Sequence, residues 1–196
     1  MGTNGCAWCP TAICSRLPEE AGTAAVVTDH IATFTETGVQ LASGRHLDAD
    51  LIVTATGLEL QFLGGMTVEV DGAPVDPATT WNYKGTMLSG VPNLAMAVGY
   101  TNASWTLKAE LACLYACRVL EHMRAHGYRQ CTPIQDDPAL PAEPLLDLTS
   151  GYVQRARALM PRQGDRAPWR LYQNYPLDLW QLGRGPIDDG VLRFAR

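Results

Sequence analysis

The sequence predicts an α/β chain with an antiparallel hairpin, two apolar strand-like runs and one long amphipathic helix. Residues 31–41 alternate apolar and polar side chains around Glu36-Thr37-Gly38, which is a hairpin pattern. Residues 50–57 and 93–99 are continuous apolar runs ending in small residues, as suits strands covered on both faces. Residues 104–126 repeat apolar side chains at helical spacing and stop at Gly127. A chain of 196 residues with 46% hydrophobic and 18% charged side chains can bury a sizeable core of the ordinary globular kind.

Residues 1–22 are rich in Gly, Cys and Pro and show no period, so an irregular segment is expected there. Cys6 and Cys9 have redox-motif spacing, but no strand precedes them. A zinc site would want a second close pair, whereas Cys113 and Cys117 are spaced for one helix face. Incidental reduced thiols and no metal ligands are the expectation. Residues 24–28 form a short β-prone run, and Ser43-Gly44-Arg45 makes the turn after the hairpin. Between the two apolar runs lie residues 66–70, an Asp71-Gly72 turn and a Pro-rich connection to Trp81.

The helix is expected to bury Leu107, Leu111, Leu114, Ala116, Val119, Leu120 and Met123, with Gly127 as its C-cap. Residues 133–144, rich in Pro and Asp, read as a linker or surface loop. Residues 151–160 predict a short helix stopped by Pro161, and residues 162–196 a weakly periodic tail wrapped on the body.

The net charge of −5 argues against nucleic acid as a partner. The aromatic residues Trp169, Tyr172, Tyr175 and Trp180 therefore read as packing rather than base-stacking groups. No apolar run reaches membrane-spanning length, so no transmembrane segment is expected, and no secretory signal is visible. A cytoplasmic protein is the expectation.

The strongest candidate for binding is the segment after the second apolar run. A strand feeding a helix N-terminus presents free amide groups in a positive field, which suits an anion or an acceptor-rich ring. Gly99 permits close approach, and Asn102 and Ser104 either cap the helix or bond a ligand. Ala55-Thr56-Gly57 makes the same case at the end of the first run, where a tight turn is the plain alternative. No G-x-G-x-x-G and no P-loop occurs, so a dinucleotide site built from this chain alone would be partial. His122 and His126 share a helix face but read as a solvated helix end without a third ligand. Asp136-Asp137 reads as a solvated loop, and Ser89 lacks a nucleophile elbow and a His partner.

Three segments carry a family resemblance. Residues 48–57, ending Ala55-Thr56-Gly57, resemble the D-x-x-x-x-A-T-G strand of flavin-containing and Baeyer–Villiger monooxygenases. Tyr83-Lys84-Gly85-Thr86-Met87-Leu88-Ser89-Gly90-Val91-Pro92-Asn93 resembles the segment that follows it. Gly99-Tyr100-Thr101-Asn102-Ala103-Ser104-Trp105-Thr106-Leu107-Lys108-Ala109 resembles a motif of the ethionamide-monooxygenase subgroup. Trp169-Arg170-Leu171-Tyr172-Gln173-Asn174-Tyr175 and Ile187-Asp188-Asp189-Gly190 are similar to that subgroup's C-terminal tail.

The resemblance covers residues 24–196 and implies the C-terminal part of a Rossmann-like flavoprotein fold with two dinucleotide-binding domains. It implies that residues 23–60 end an NADPH-binding domain. Residues 61–130 would be the C-terminal part of an FAD-binding domain, and residues 131–196 a linker and tail. It places Thr56 and Gly57 near the cofactors, and Tyr100, Thr101, Asn102 and Ser104 facing the flavin, with Trp105 lining that region. The implied activity is oxygen insertion into ketones, or sulfur or nitrogen oxidation, through a peroxyflavin. The implied cofactors are FAD and NADPH, and the substrate a small organic molecule. No catalytic side chain is assigned, because the glycine fingerprints and the arginine that assists the chemistry belong upstream in the family. The expectation is a fragment inactive alone, from a truncated or frame-shifted reading frame. The alternative is a non-catalytic module that completes a flavin site with a separate N-terminal half. A disulfide-reductase-type flavoprotein is disfavoured, because Cys6 and Cys9 lie outside the matching region.

Overall fold

The structure, a computed structural model, describes residues 24–196. The irregular stretch expected over residues 1–22, with Cys6, Cys9 and Cys14, lies outside the described residues. The chain divides into two compact units, Met1–Leu58 and Glu59–Arg196.

In the first unit three short strands form an antiparallel meander: β1 (Ile31–Thr35), β2 (Gly38–Leu41) and β3 (His46–Asp48). Thr35 pairs with Gly38 across a two-residue turn, so the expected hairpin forms in its expected place. Gly44, at φ +88°, carries the turn into β3, where a side chain at most positions would be strained. The β-prone run at residues 24–28 is not a strand.

Residues 50–57 depart from expectation. They form no strand, and Leu51 and Val53 are 80% and 78% exposed. A strand exists only through its ladder, and among the described residues none pairs with this run. Its apolar character is that of a strand buried on both faces, left here without neighbours.

In the second unit a 3₁₀ turn (Phe62–Gly65) is followed by a hairpin of β4 (Val68–Val70) and β5 (Ala73–Val75). Asp71 and Gly72 both take positive φ (52° and 80°), the requirement of the tight hairpin turn predicted at that dipeptide. A second hairpin joins β6 (Asn82–Tyr83) to β7 (Met87–Leu88) through Lys84 and Gly85, again at positive φ. Ser89 is structural: its hydroxyl accepts from the Trp81 amide at 2.8 Å.

The second apolar run is also not a strand. The Met96 amide bonds the Thr86 carbonyl at 2.7 Å, and Met96 packs with Leu88 and Val91. Ala95 and Ala97 face outward. The run is covered on one face, not two, because no described strand lies beside it.

Helix α1 (Trp105–His126) ends where predicted, at Gly127 with φ +70°. The Tyr128 amide closes the cap on the Met123 carbonyl at 2.9 Å. Its buried stripe differs from the expected one. Lys108, Leu111, Ala112, Tyr115, Val119 and Met123 face inward, while Leu107, Leu114 and Leu120 are exposed. The observed stripe keeps the 3–4 residue spacing, but it admits a lysine and a tyrosine whose polar ends find buried partners.

Strand β8 (Gln130–Pro133) follows, then β9 (Glu143–Pro144), α2 (Gly151–Ala156), β10 (Arg162–Gln163), α3 (Tyr175–Gly183) and β11 (Leu192–Ala195). The expected short helix over residues 151–160 is α2 followed by a 3₁₀ turn. The loop expected over residues 133–144 is largely that, with Leu140 buried. The tail is not merely wrapped on the body. Strand β11 pairs with β8, and Trp169, Leu182 and Leu192 share one core with Tyr83, Leu111, Tyr115 and Val119. Helix α3 was missed. Asn174 caps it by accepting from the Leu177 amide at 3.1 Å, with Pro176 in its first turn.

All the named strand pairs are antiparallel. The observed class is thus mixed α and β with hairpins and helices.

Candidate functional site

The turn from Gly99 to Ser104 joins the extended run to α1 and is held from one side by the tail. Gln173, itself at φ +52°, accepts from the Thr101 amide through its side chain at 3.1 Å. Its carbonyl accepts from the Asn102 side chain at 3.1 Å. Tyr100 turns inward and donates its hydroxyl to Asp178 at 2.7 Å. The Lys108 ammonium meets the same carboxylate oxygen at 2.8 Å, and both charged side chains are almost wholly buried. It also lies 5.6 Å from the centre of the Tyr100 ring. Burial pushes the Lys108 ammonium below its ordinary value, against the pull of Asp178. Burial likewise raises the Tyr100 phenol, and the Asp178 hydrogen bond adds to it.

A small cavity of about 10 Å³ lies beneath this turn, lined by Asn82, Gly85, Gly99, Tyr100, Lys108 and Asp178 among others. Asn82 is 1% exposed, and its amide nitrogen meets no protein acceptor. The cavity is water-sized and cannot take a ring. The outer face of the turn differs. Thr101, Asn102, Ser104 and Trp105 are all exposed, and Ser104 at the N-cap makes no side-chain bond to the first-turn amides. Its hydroxyl pairs with that of Thr106 at 2.9 Å instead. The start of a 22-residue helix is therefore open to an acceptor-rich group.

Gly99 lies against the face of Trp105: a Cβ there would sit 2.0 Å from the indole. Gly99→Ala is expected to displace Trp105 and cost about 1–3 kcal/mol. In a Trp105→Ala background the same change is expected to be nearly neutral. Urea melts of the four proteins check this, and equal costs in both backgrounds would refute the contact.

A second polar network joins two of the resemblance segments. Tyr83 donates to Asp189 at 2.7 Å and lies 3.1 Å from the Tyr115 hydroxyl. Lys84 pairs with the same Asp189 oxygen at 2.8 Å, while the other oxygen accepts the Val191 and Leu192 amides, each at 3.0 Å. Burial alone raises the Asp189 carboxyl. The Lys84 ammonium, the Leu192 amide and the Tyr83 hydroxyl outweigh it and hold the group below the usual carboxylate range.

Of the residues picked from sequence, Tyr100, Thr101, Asn102, Ser104 and Trp105 come together in this turn. Tyr100 is buried, its hydroxyl committed to Asp178, so the exposed surface is made by the other four. Thr56 and Gly57 are exposed in the first unit and belong to no strand, and Gly57 takes φ +96°. Lys108, Gln173 and Asp178, which hold the turn, were missed. Lys108 falls three residues before Leu111 and seven before Tyr115, on the inward stripe, which was the available signal. Asp178 gave no signal, because α3 was not foreseen. Among the described residues no group of three or more His, Cys, Asp or Glu side chains is placed to hold a metal. No helix among them is long and apolar enough to cross a membrane.

No protein-family model and no solved structure matches the chain. Curated relatives do. The chain is 50% identical over 177 residues to the probable FAD-binding monooxygenase AlmA of Acinetobacter baylyi, covering 90% of this chain and 36% of that protein. It is 51% identical over 175 residues to the FAD-containing monooxygenase EthA of Mycobacterium tuberculosis, covering 89% and 36%. It is 52% identical over 176 residues to the putative FAD-containing monooxygenase MymA of the same species, covering 89% and 36%. The chain thus spans about a third of the length of these relatives. At about half identity over nine-tenths of its residues, the chain is homologous to a part of these FAD-binding and FAD-containing monooxygenases.

Proposed function

We propose that this chain is the C-terminal part of an FAD- and NADPH-dependent monooxygenase that oxidises small organic ketones, sulfides or amines. On this reading it is inactive without the N-terminal part, which carries the dinucleotide turns, and it works in the cytoplasm. Residues 23–60 would end an NADPH-binding domain and residues 61–130 return to a Rossmann-like FAD-binding domain. The observation that carries the reading is the open turn at the head of α1. Asn102, Ser104 and the uncapped first-turn amides offer donors on an exposed face, and Trp105 offers a flat wall.

The fit to FAD is partial and specific in kind. The donor set suits the acceptor edge of a flavin ring, whereas nothing in the sequence suits its pyrophosphate. The bound flavin would supply the oxygen-activating chemistry. This chain's own residues would orient it. Gln173 and Asp178 hold the turn from behind, so that Asn102 and Ser104 present donors in a fixed place. Gly99 lets the Trp105 indole lie flat under the turn.

The assay pairs this chain with an N-terminal polypeptide from one of its relatives and follows NADPH oxidation with a cyclic ketone or a thioether. Product is expected only from the pair. Turnover by the chain alone, or a flavin-loaded pair that oxidises no NADPH, would overturn the reading.

A further inference from the structure

Helix α1 carries His122 and His126 one turn apart near its C-terminal end. Their rings lie 4.2 Å apart, centre to centre, with 31° between their planes. Residues four apart on a helix share a face, the spacing with which paired histidines chelate a metal ion. Two further observations separate this pair from a frayed helix end. The Nδ1 of His126 lies 2.8 Å from the His122 carbonyl. The carbonyl can only accept, so Nδ1 donates and Nε2 is the ring nitrogen that this bond leaves free. A backbone-carbonyl bond of this kind is how metal-ligating histidines are oriented and their tautomer fixed. The second observation is the aromatic packing that holds both rings. His122 lies 4.9 Å from Phe194, and His126 is stacked on Tyr128 at 5.7 Å. Tyr128 in turn stacks on Phe194 at 5.2 Å, on the strand that pairs with β8. Two loose side chains would lose rotamer freedom on chelation, but these have given up much of it on folding.

We propose that His122 and His126 form a two-ligand site for a borderline divalent ion of the zinc, nickel and copper class. Imidazole suits these ions, and hard oxygen-seeking cations such as magnesium have no ligand here. Among the described residues no third His, Cys, Asp or Glu completes the set, so the remaining positions are open to water or to a donor from a second molecule. The site is bidentate, with His126 exposed and His122 half-buried, and it lies outside the flavin reading above.

The test is a zinc titration of the whole chain at pH 7.5, followed through the imidazole nitrogens by NMR. Those signals are silent to zinc taken up by thiols. The Nε2 signals of His122 and His126 are expected to move together with one midpoint. His30, an exposed histidine elsewhere in the chain, serves as the internal control and is expected to move only at much higher zinc. His126→Gln, at an exposed position, is expected to raise the His122 midpoint roughly tenfold or more, as loss of one of two chelating arms requires, with the amide spectrum otherwise unchanged. Separate midpoints for the two rings, movement of His30 in step with them, or an unchanged His122 midpoint in the variant would each overturn the site.

Discussion

Asp178→Ala is expected to cost about 3–5 kcal/mol of stability, because it strands the Lys108 ammonium in a site where that side chain is 4% exposed. Taking a charge from water is tolerable only when its partner is close, and here one carboxylate oxygen serves both Lys108 and Tyr100. Lys108→Met alone is expected to cost a comparable amount, since it leaves the carboxylate buried with a neutral partner. The double variant Lys108→Met with Asp178→Asn removes both charges and keeps an acceptor for Tyr100. Its cost is expected to be well below the sum of the singles, because replacing a whole buried pair is often close to neutral. Urea denaturation of the four proteins gives the coupling directly. Additive costs would mean that the pair is not coupled in solution.

Asp189→Ala is the second large effect, also about 3–5 kcal/mol, for a related reason. The carboxylate gathers Lys84, Tyr83 and two backbone amides, and the Lys84 side chain is 8% exposed. This site also carries a pH signature. The folded-state pKa of Asp189 is depressed below the ordinary carboxylate value. The unfolded chain therefore binds the proton more readily. The stability contributed is complete above about pH 4 and is lost as pH falls through the folded-state value. Thermal melts from neutral to strongly acidic pH are expected to show this loss. Asp189→Asn is expected to start lower and to flatten the acid slope. A parallel slope in that variant would assign the acid sensitivity to other carboxylates.

The local elements were legible where a residue has a conformational duty. Asp71-Gly72 makes a hairpin turn because few other dipeptides accept positive φ twice, and Gly127 ends α1 because its cap is left-handed. The two apolar runs were legible only as composition. Val53 and Ala97 have the character of strands covered on both sides, yet a strand is a property of its neighbours, and none of the described residues supplies them. The buried stripe of α1 was misread for a different reason. Lys108 and Tyr115 are inward because Asp178, Tyr83 and Lys84 wait for their polar ends, and those contacts join residues 31 to 70 positions apart. Hydrophobicity along one helix cannot report a partner that far away. For the candidate site, the turn from Tyr100 to Trp105 was readable as a helix entrance. What braces it, Gln173 and Asp178, was hidden in a tail without clear periodicity.

Flavin retention tests the proposed partial flavin site most directly. Purified chain is mixed with FAD, alone and together with an N-terminal polypeptide bearing the glycine-rich turns, and each sample is passed through a gel-filtration column. Flavin absorbance is expected to leave with the protein only when both polypeptides are present, one flavin per pair, and to fall when Asn102 and Ser104 are both changed to alanine. Stoichiometric flavin carried by this chain alone would contradict the claim that it holds only part of the site. A stable pair that carries none would contradict the claim that it holds any.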